Sequence, residues 1–137
     1  MQPDRLSLTF VKPLPGFETL KKFSLFPIEN NPDFLLLQSE EDEEIGLVTV
    51  SPFIFKPDYE FKLRNDILNI LGIIDPLEVK VISIVTLSKD VKDITYNLKA
   101  PVIINVKNGY AMQIILDNDE YLIKHPLIGE WIYAGNN

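Results

Sequence analysis

The chain has no cysteine and a single histidine, His125. The first absence excludes disulfide frameworks, thiol nucleophiles and cysteine-ligated zinc or iron–sulfur sites. The second leaves no histidine cluster for a metal and no second imidazole for a catalytic dyad. A phosphate-binding glycine loop is lacking too. Leu14-Pro15-Gly16-Phe17-Glu18 has a turn's proline and glycine, but neither the later glycine nor the Lys-Ser/Thr that cradles phosphate. No apolar run approaches a membrane span, and Met1-Gln2-Pro3-Asp4-Arg5 carries no basic segment followed by a long apolar one. Positive charge is scarce: 13 Lys and Arg against 20 Asp and Glu give a net charge of −7. That balance suits a basic partner better than a phosphate backbone. A soluble cytoplasmic protein is the expectation, with no cofactor, no metal, no membrane contact and no direct binding of nucleic acid.

What is present reads as β-structure. A length of 137 residues suits one domain with a real core, and no repeat, linker or low-complexity stretch divides it. Leu6-Ser7-Leu8-Thr9-Phe10 alternates, then stops at Pro13, Pro15 and Gly16, the last two suited to the centre of a type II turn. Apolar runs at residues 23–26 and 34–37 flank Asn30-Asn31-Pro32-Asp33 and predict a hairpin. Glu40-Glu41-Asp42-Glu43-Glu44 is five like charges in a row, a solvated loop tip before a strand at residues 45–50. One short helix is expected, with Asn65 as N-cap, Ile67, Ile70 and Leu71 on one face, and Gly72 as the stop.

The next strand puts Val79, Val81, Ser83, Val85 and Leu87 on one face and Ile82 and Ile84 on the other. Both faces are apolar, which predicts a central strand covered on both sides. Ile94, Tyr96 and Leu98 alternate with Thr95 and Asn97 as a more exposed neighbour. Pro101 has no N–H for a ladder and belongs at the head of a strand containing Val102, Ile103 and Ile104. Asn108-Gly109 is the pair favoured in a type I′ turn, so residues 102–106 are expected to pair antiparallel with residues 111–116. The fold class is mainly β, a small antiparallel barrel-like single domain with one short helix.

Two segments combine polar and apolar groups in ways that suit contact with a partner. In Pro57-Asp58-Tyr59-Glu60-Phe61, alternation sets Tyr59 and Phe61 on one face and Asp58 and Glu60 on the other, either as a surface strand or as a contact surface. In Leu87-Ser88-Lys89-Asp90-Val91-Lys92-Asp93, Val91 stands at the tip of a charged connection.

Taken in order, these pieces resemble a known family. Leu14-Pro15-Gly16-Phe17-Glu18, Leu37-Gln38-Ser39, Ser51-Pro52-Phe53, Pro57-Asp58-Tyr59, Thr95-Tyr96-Asn97-Leu98-Lys99-Ala100-Pro101 with Asn105, and Tyr121 with Lys124-His125-Pro126-Leu127 are similar to the FliW family of flagellar assembly factors. The resemblance spans about residues 10–127 of a single domain over 1–137, with 128–137 as a variable tail. It implies a small β-barrel and a non-enzymatic role. FliW proteins bind cytoplasmic flagellin and the RNA-binding translational repressor CsrA, and by holding CsrA they let flagellin mRNA be translated. Relative to the family pattern, a strand usually found before Leu6 is missing here, so one barrel edge is expected to be open. Pro13 stands where glycine is usual, and Tyr96 where alanine is usual. Trp131 and Tyr133 are candidates either to cover that edge or to belong to a loose tail.

The resemblance, together with the exposed positions, places the CsrA-binding patch on Asp58, Tyr59 and Glu60, aided by Val91, Leu98 and Pro101. Tyr59 serves as the anchor and the carboxylates as the rim. The competing class is a barrel that binds a small ligand or catalyses through a carboxylate site. A deep acidic cavity with perturbed carboxyls would favour that class.

Overall fold

The computed structural model describes residues 5–127. Its strands are β1 (Leu6–Phe10), β2 (Lys22–Ile28), β3 (Asn31–Ser39), β4 (Gly46–Val50), β5 (Val79–Thr86), β6 (Thr95–Tyr96), β7 (Val102–Asn105), β8 (Tyr110–Gln113) and β9 (His125–Pro126). The helices are α1 (Pro52–Phe55) and α2 (Asn65–Leu71), with 3-10 turns at Pro76–Glu78 and Val91–Asp93.

The order β4-β3-β2-β1-β8-β7-β5 closes on itself through a β4–β5 pairing, so seven strands form a barrel. The expected open edge is therefore absent. β1 is hydrogen-bonded to β2 on one side and lies parallel to β8 on the other, the one parallel contact in an otherwise antiparallel ring. Closure removes the unpaired edges that invite aggregation. Trp131 and Tyr133, named as candidates to cover that edge, lie outside the described residues.

Alternation along each strand fills the lumen. Leu8, Phe10, Phe23, Leu25, Leu37, Ile82, Val102 and Ile104 point inward, and Leu14 joins them as a plug. Phe10 and Phe23 meet edge to face, 5.2 Å between centroids. Leu14 is held in place by its turn: Phe17 N–H donates to Leu14 C=O at 2.9 Å and Gly16 has φ +88°, as a type II turn requires. Outside the barrel, α2 seats Ile67 and Leu71 on Val81, Ile103 and Met112. A second layer gathers Val50, Phe55, Tyr59, Val85, Tyr96, Leu98, Tyr121 and Leu127. β5 is thus covered on both faces, as its two apolar stripes predict.

Several local readings change. The hairpin between β7 and β8 forms with Ile103 opposite Met112, but its turn is not type I′. Asn30 is the one described non-glycine residue with positive φ, so Asn108 does not adopt the left-handed conformation that a two-residue turn needs. Instead residues 106–109 form a longer loop, closed by Gly109 N–H to Asn105 C=O at 2.8 Å. Gly109, at φ +79°, is required for a different reason: a Cβ there would lie 2.5 Å from Ser7 C=O. Glycine lets β1 approach β8, and Thr9 N–H then donates to Gly109 C=O at 2.8 Å.

A second helix, α1, follows Ser51 with Pro52 at its first position, where a missing N–H costs nothing. At four residues it is too short to show periodicity. In α2 the N-cap is Arg64 rather than Asn65, and Ile70 is exposed while Ile67 and Leu71 are buried. Tyr96 and Leu98, read as belonging to a more exposed strand, are both fully buried under the outer layer. Residues 57–61 are not a strand.

Candidate partner-binding face

Between α1 and α2 the chain crosses the outside of the barrel without joining a sheet. Side-chain burial along residues 59–64 nevertheless alternates, with Tyr59, Phe61 and Leu63 turned in and Glu60, Lys62 and Arg64 turned out. That is the periodicity of an extended chain. The segment is pinned by two phenols. Tyr59 Oη donates to Leu98 C=O at 2.7 Å, while Tyr121 Oη accepts from Glu60 N–H at 3.1 Å and donates to Glu60 C=O at 3.0 Å. The rings stack at angles: Tyr59 to Tyr121 at 4.7 Å, to Phe61 at 5.5 Å and to Phe53 at 5.6 Å. Burial drives the Tyr59 phenol well above its ordinary pKa, and neighbouring Tyr121 adds to the rise.

Two grooves flank this segment. One, of about 690 Å³, is polar, with Asp58, Glu60, Lys62, Asn118 and Glu120 on its walls. The other, of about 520 Å³, is mainly apolar and lies between Phe61 and Leu63 on one side and Ile73, Ile74, Pro76 and Val79 on the other. Two of its lining side chains are exposed and apolar, Phe53 and the nearly bare Ile74, and Leu77, next in sequence to the lining residue Pro76, is nearly bare as well. Such a cluster on a small protein marks an interaction surface more often than it occurs by chance. Asp58 is exposed and 3.3 Å from Lys56 Nζ. Nothing in the sequence singled out the segment at Ile73 to Leu77. The two adjacent apolar residues Ile73-Ile74 just after Gly72 were the available sign.

The sequence-predicted site residues separate into two groups. Asp58 and Glu60 are exposed and share the polar groove. Tyr59, Leu98 and Pro101 are buried, at 2 % exposure for Tyr59 and none for Leu98. Tyr59 is therefore not a free anchor: its ring is core, and its hydroxyl ties the segment to the loop entering Pro101. Pro101 heads β7 as predicted and accepts from Ile114 N–H at 3.0 Å. Val91 is exposed on a turn after the far end of β5, whereas the apolar groove borders that strand's first residues, Val79 and Val81.

The acidic run at residues 40–44 is an exposed loop tip, as expected, though tied to its neighbours. Glu41 Oε1 accepts from the N–H groups of Lys21 and Lys22 at 2.6 and 2.9 Å, which lowers its pKa. Arg64 beside Asp66 lowers that carboxyl likewise. These two shifted carboxylates are fully exposed and line neither groove. His125 meets Tyr96 edge to face at 5.4 Å. Among the described residues no group of three His, Asp or Glu side chains is placed to hold a metal ion, and no helix is long and apolar enough to cross a membrane.

Comparison with known proteins agrees with this architecture. The family model described as FliW protein matches residues 1–127. A flagellar assembly factor FliW of Clostridium beijerinckii is 49% identical over 123 residues, covering 90% of this chain and 87% of the relative. One from Clostridium botulinum strain Langeland is 46% identical over 121 residues, covering 88% of this chain and 85% of the relative. A crystal structure of the flagellar assembly factor FliW superposes with a TM-score of 0.82 at 35% identity, covering 93% of this chain and 87% of that one. The chain is a member of the FliW family of flagellar assembly factors.

Proposed function

We propose that the chain works without catalysis, by binding two cytoplasmic proteins in turn: flagellin and the RNA-binding repressor CsrA. While flagellin occupies it, CsrA is free to repress. Once flagellin is exported, the chain captures CsrA and flagellin mRNA is translated. A regulator with two mutually exclusive ligands reports the free concentration of one through its occupancy by the other. The observation that carries this reading is the face around Asp58, where exposed carboxylates adjoin an uncovered apolar groove. A surface that must meet RNA is basic, so an acidic rim suits CsrA, and such complementarity acts mainly on the rate of encounter.

In this reading Asp58 and Glu60 form the rim, while Tyr59, Leu98 and Pro101 position the segment that carries them. Val91 is a separate, peripheral contact. The carboxyls with shifted pKa values lie away from both grooves, which favours binding over a small-ligand or carboxylate-catalysed alternative.

The test is stopped-flow association with purified CsrA, run with Asp58→Lys and Glu60→Lys together. Association is expected to slow by about tenfold and to lose part of its salt dependence, with dissociation little changed. Association kinetics identical to the parent's would remove this face from the proposal. Flagellin that fails to displace CsrA would remove the alternation.

A further inference from the structure

The extended segment over the barrel is held along one edge at Glu60 and is bare along the other. In an extended chain the N–H and C=O of a residue point to the same side, and those of the next residue to the other. Glu60 turns both of its groups toward Tyr121 Oη, at 3.1 and 3.0 Å. The corresponding groups of Phe61 and Leu63 therefore face the opposite way. Among the described residues, no hydrogen bond reaches the backbone N–H or C=O of Phe61, Lys62 or Leu63. Phe61 and Leu63 are also one wall of the 520 Å³ apolar groove, with Ile73, Ile74, Pro76 and Val79 as the other. An unpaired backbone edge beside an apolar trough is what a sheet edge offers to an added strand.

We propose that this edge is a strand-addition site, and that its occupant is an extended segment of a partner protein. The segment pairs its backbone with Phe61 and Leu63 and drops alternate apolar side chains into the groove. Charge sets the other requirement. Glu60 borders the apolar groove as well as the polar one, so a Lys or Arg belongs at the end of the segment that passes it. Lys62, on the same wall, disfavours a uniformly basic segment. The inference rests on the reading of this face as the partner-binding surface and says what kind of segment binds it.

The probe is a synthetic peptide of about six residues alternating valine with threonine and ending in one lysine. It is titrated into the full-length, isotope-labelled protein and followed by NMR. The amide signals of Phe61 and Leu63 should move and gain protection from exchange on saturation. The same peptide N-methylated at alternate amides should bind about tenfold or more weakly, since each lost hydrogen bond and the steric block act together. Ile74→Asp, a change at a side chain 91% exposed, should weaken binding similarly without affecting the fold.

Equal affinity for the N-methylated peptide, or perturbed amides only elsewhere, overturns the proposal. Concentration-dependent protection of the same two amides without peptide, with a dimer in sedimentation, overturns it in favour of a second copy. If the peptide binds as described but charge reversal at Asp58 and Glu60 leaves CsrA association unchanged, the strand site stands and the functional reading fails. The converse result separates them the other way.

Discussion

Around the barrel every strand is hydrogen-bonded to a neighbour on either side, whereas residues 60–63 are held by the hydroxyls of Tyr59 and Tyr121 and by the rings beneath them. The barrel's contacts are many, apolar and enclosed. Those of the outer segment are few and directional. A structure built this way separates a part that fixes the fold from a part free to present backbone and carboxylates to a partner. The difference predicts two stability classes: ring amides that exchange only on global unfolding, and segment amides that exchange by local opening.

The largest expected effect comes from breaking the enclosed side of that comparison. Phe23 is fully buried and packs edge to face on Phe10. Phe23→Ala should cost about 3–5 kcal/mol, the lost transfer energy plus the cavity left in a closed lumen. Chemical denaturation should show one cooperative transition at a lower midpoint, with the slope unchanged. A loss below about 1 kcal/mol would mean that the lumen is not the source of stability.

How legible each part was in the sequence follows the same division. The barrel strands obey period-two alternation with Gly, Pro and Asn punctuation, so the strands at Leu6–Phe10, at residues 79–86 and around the Asn108 hairpin could be read directly. Ring closure could not, because the parallel contact between β1 and β8 joins residues distant in sequence and leaves only Gly109 as its trace. The outer layer was harder. Tyr96 and Leu98 look like one face of an exposed strand until Phe55, Tyr121 and Leu127 cover them. For Asp58, Tyr59 and Glu60 the alternation was right and the assignment of the ring was wrong: Tyr59 faces the core, and only its neighbours reach solvent. The apolar groove needs Ile73 and Ile74 beside Phe61, a juxtaposition that periodicity within one segment cannot report.

A smaller effect is expected where the two regions are joined. Tyr59→Phe keeps the ring and removes the hydroxyl that donates to Leu98 C=O at 2.7 Å, leaving a buried carbonyl unpaired. The expected loss is about 1 kcal/mol. Hydrogen exchange should rise in residues 60–63 but not in β7. The parent should also carry a pH signature that the variant lacks. The Tyr59 phenol is raised above its ordinary value near 10, so the unfolded chain ionises first. The contribution is complete below about pH 10 and is lost as pH rises beyond it. If β7 and the segment gain exchange together, the two regions are one cooperative unit.

The smallest effect lies farthest from the groove, at the acidic loop. Glu41 accepts from Lys22 N–H and Lys21 N–H, and these bonds lower its pKa, while the carboxylate itself is fully exposed. A depressed folded-state pKa means that the stabilisation is present above the ordinary carboxyl range and is lost as pH falls through the folded value. Water and salt screen an exposed group, so the gain is slight. Glu41→Gln, which keeps an acceptor and removes the charge, should therefore leave the thermal midpoint at neutral pH nearly unchanged and flatten its decline in acid. If the variant instead loses as much stability at neutral pH as Tyr59→Phe, the loop at residues 40–44 is a structural brace like the two phenols, and the division between an enclosed barrel and a lightly held exterior needs redrawing.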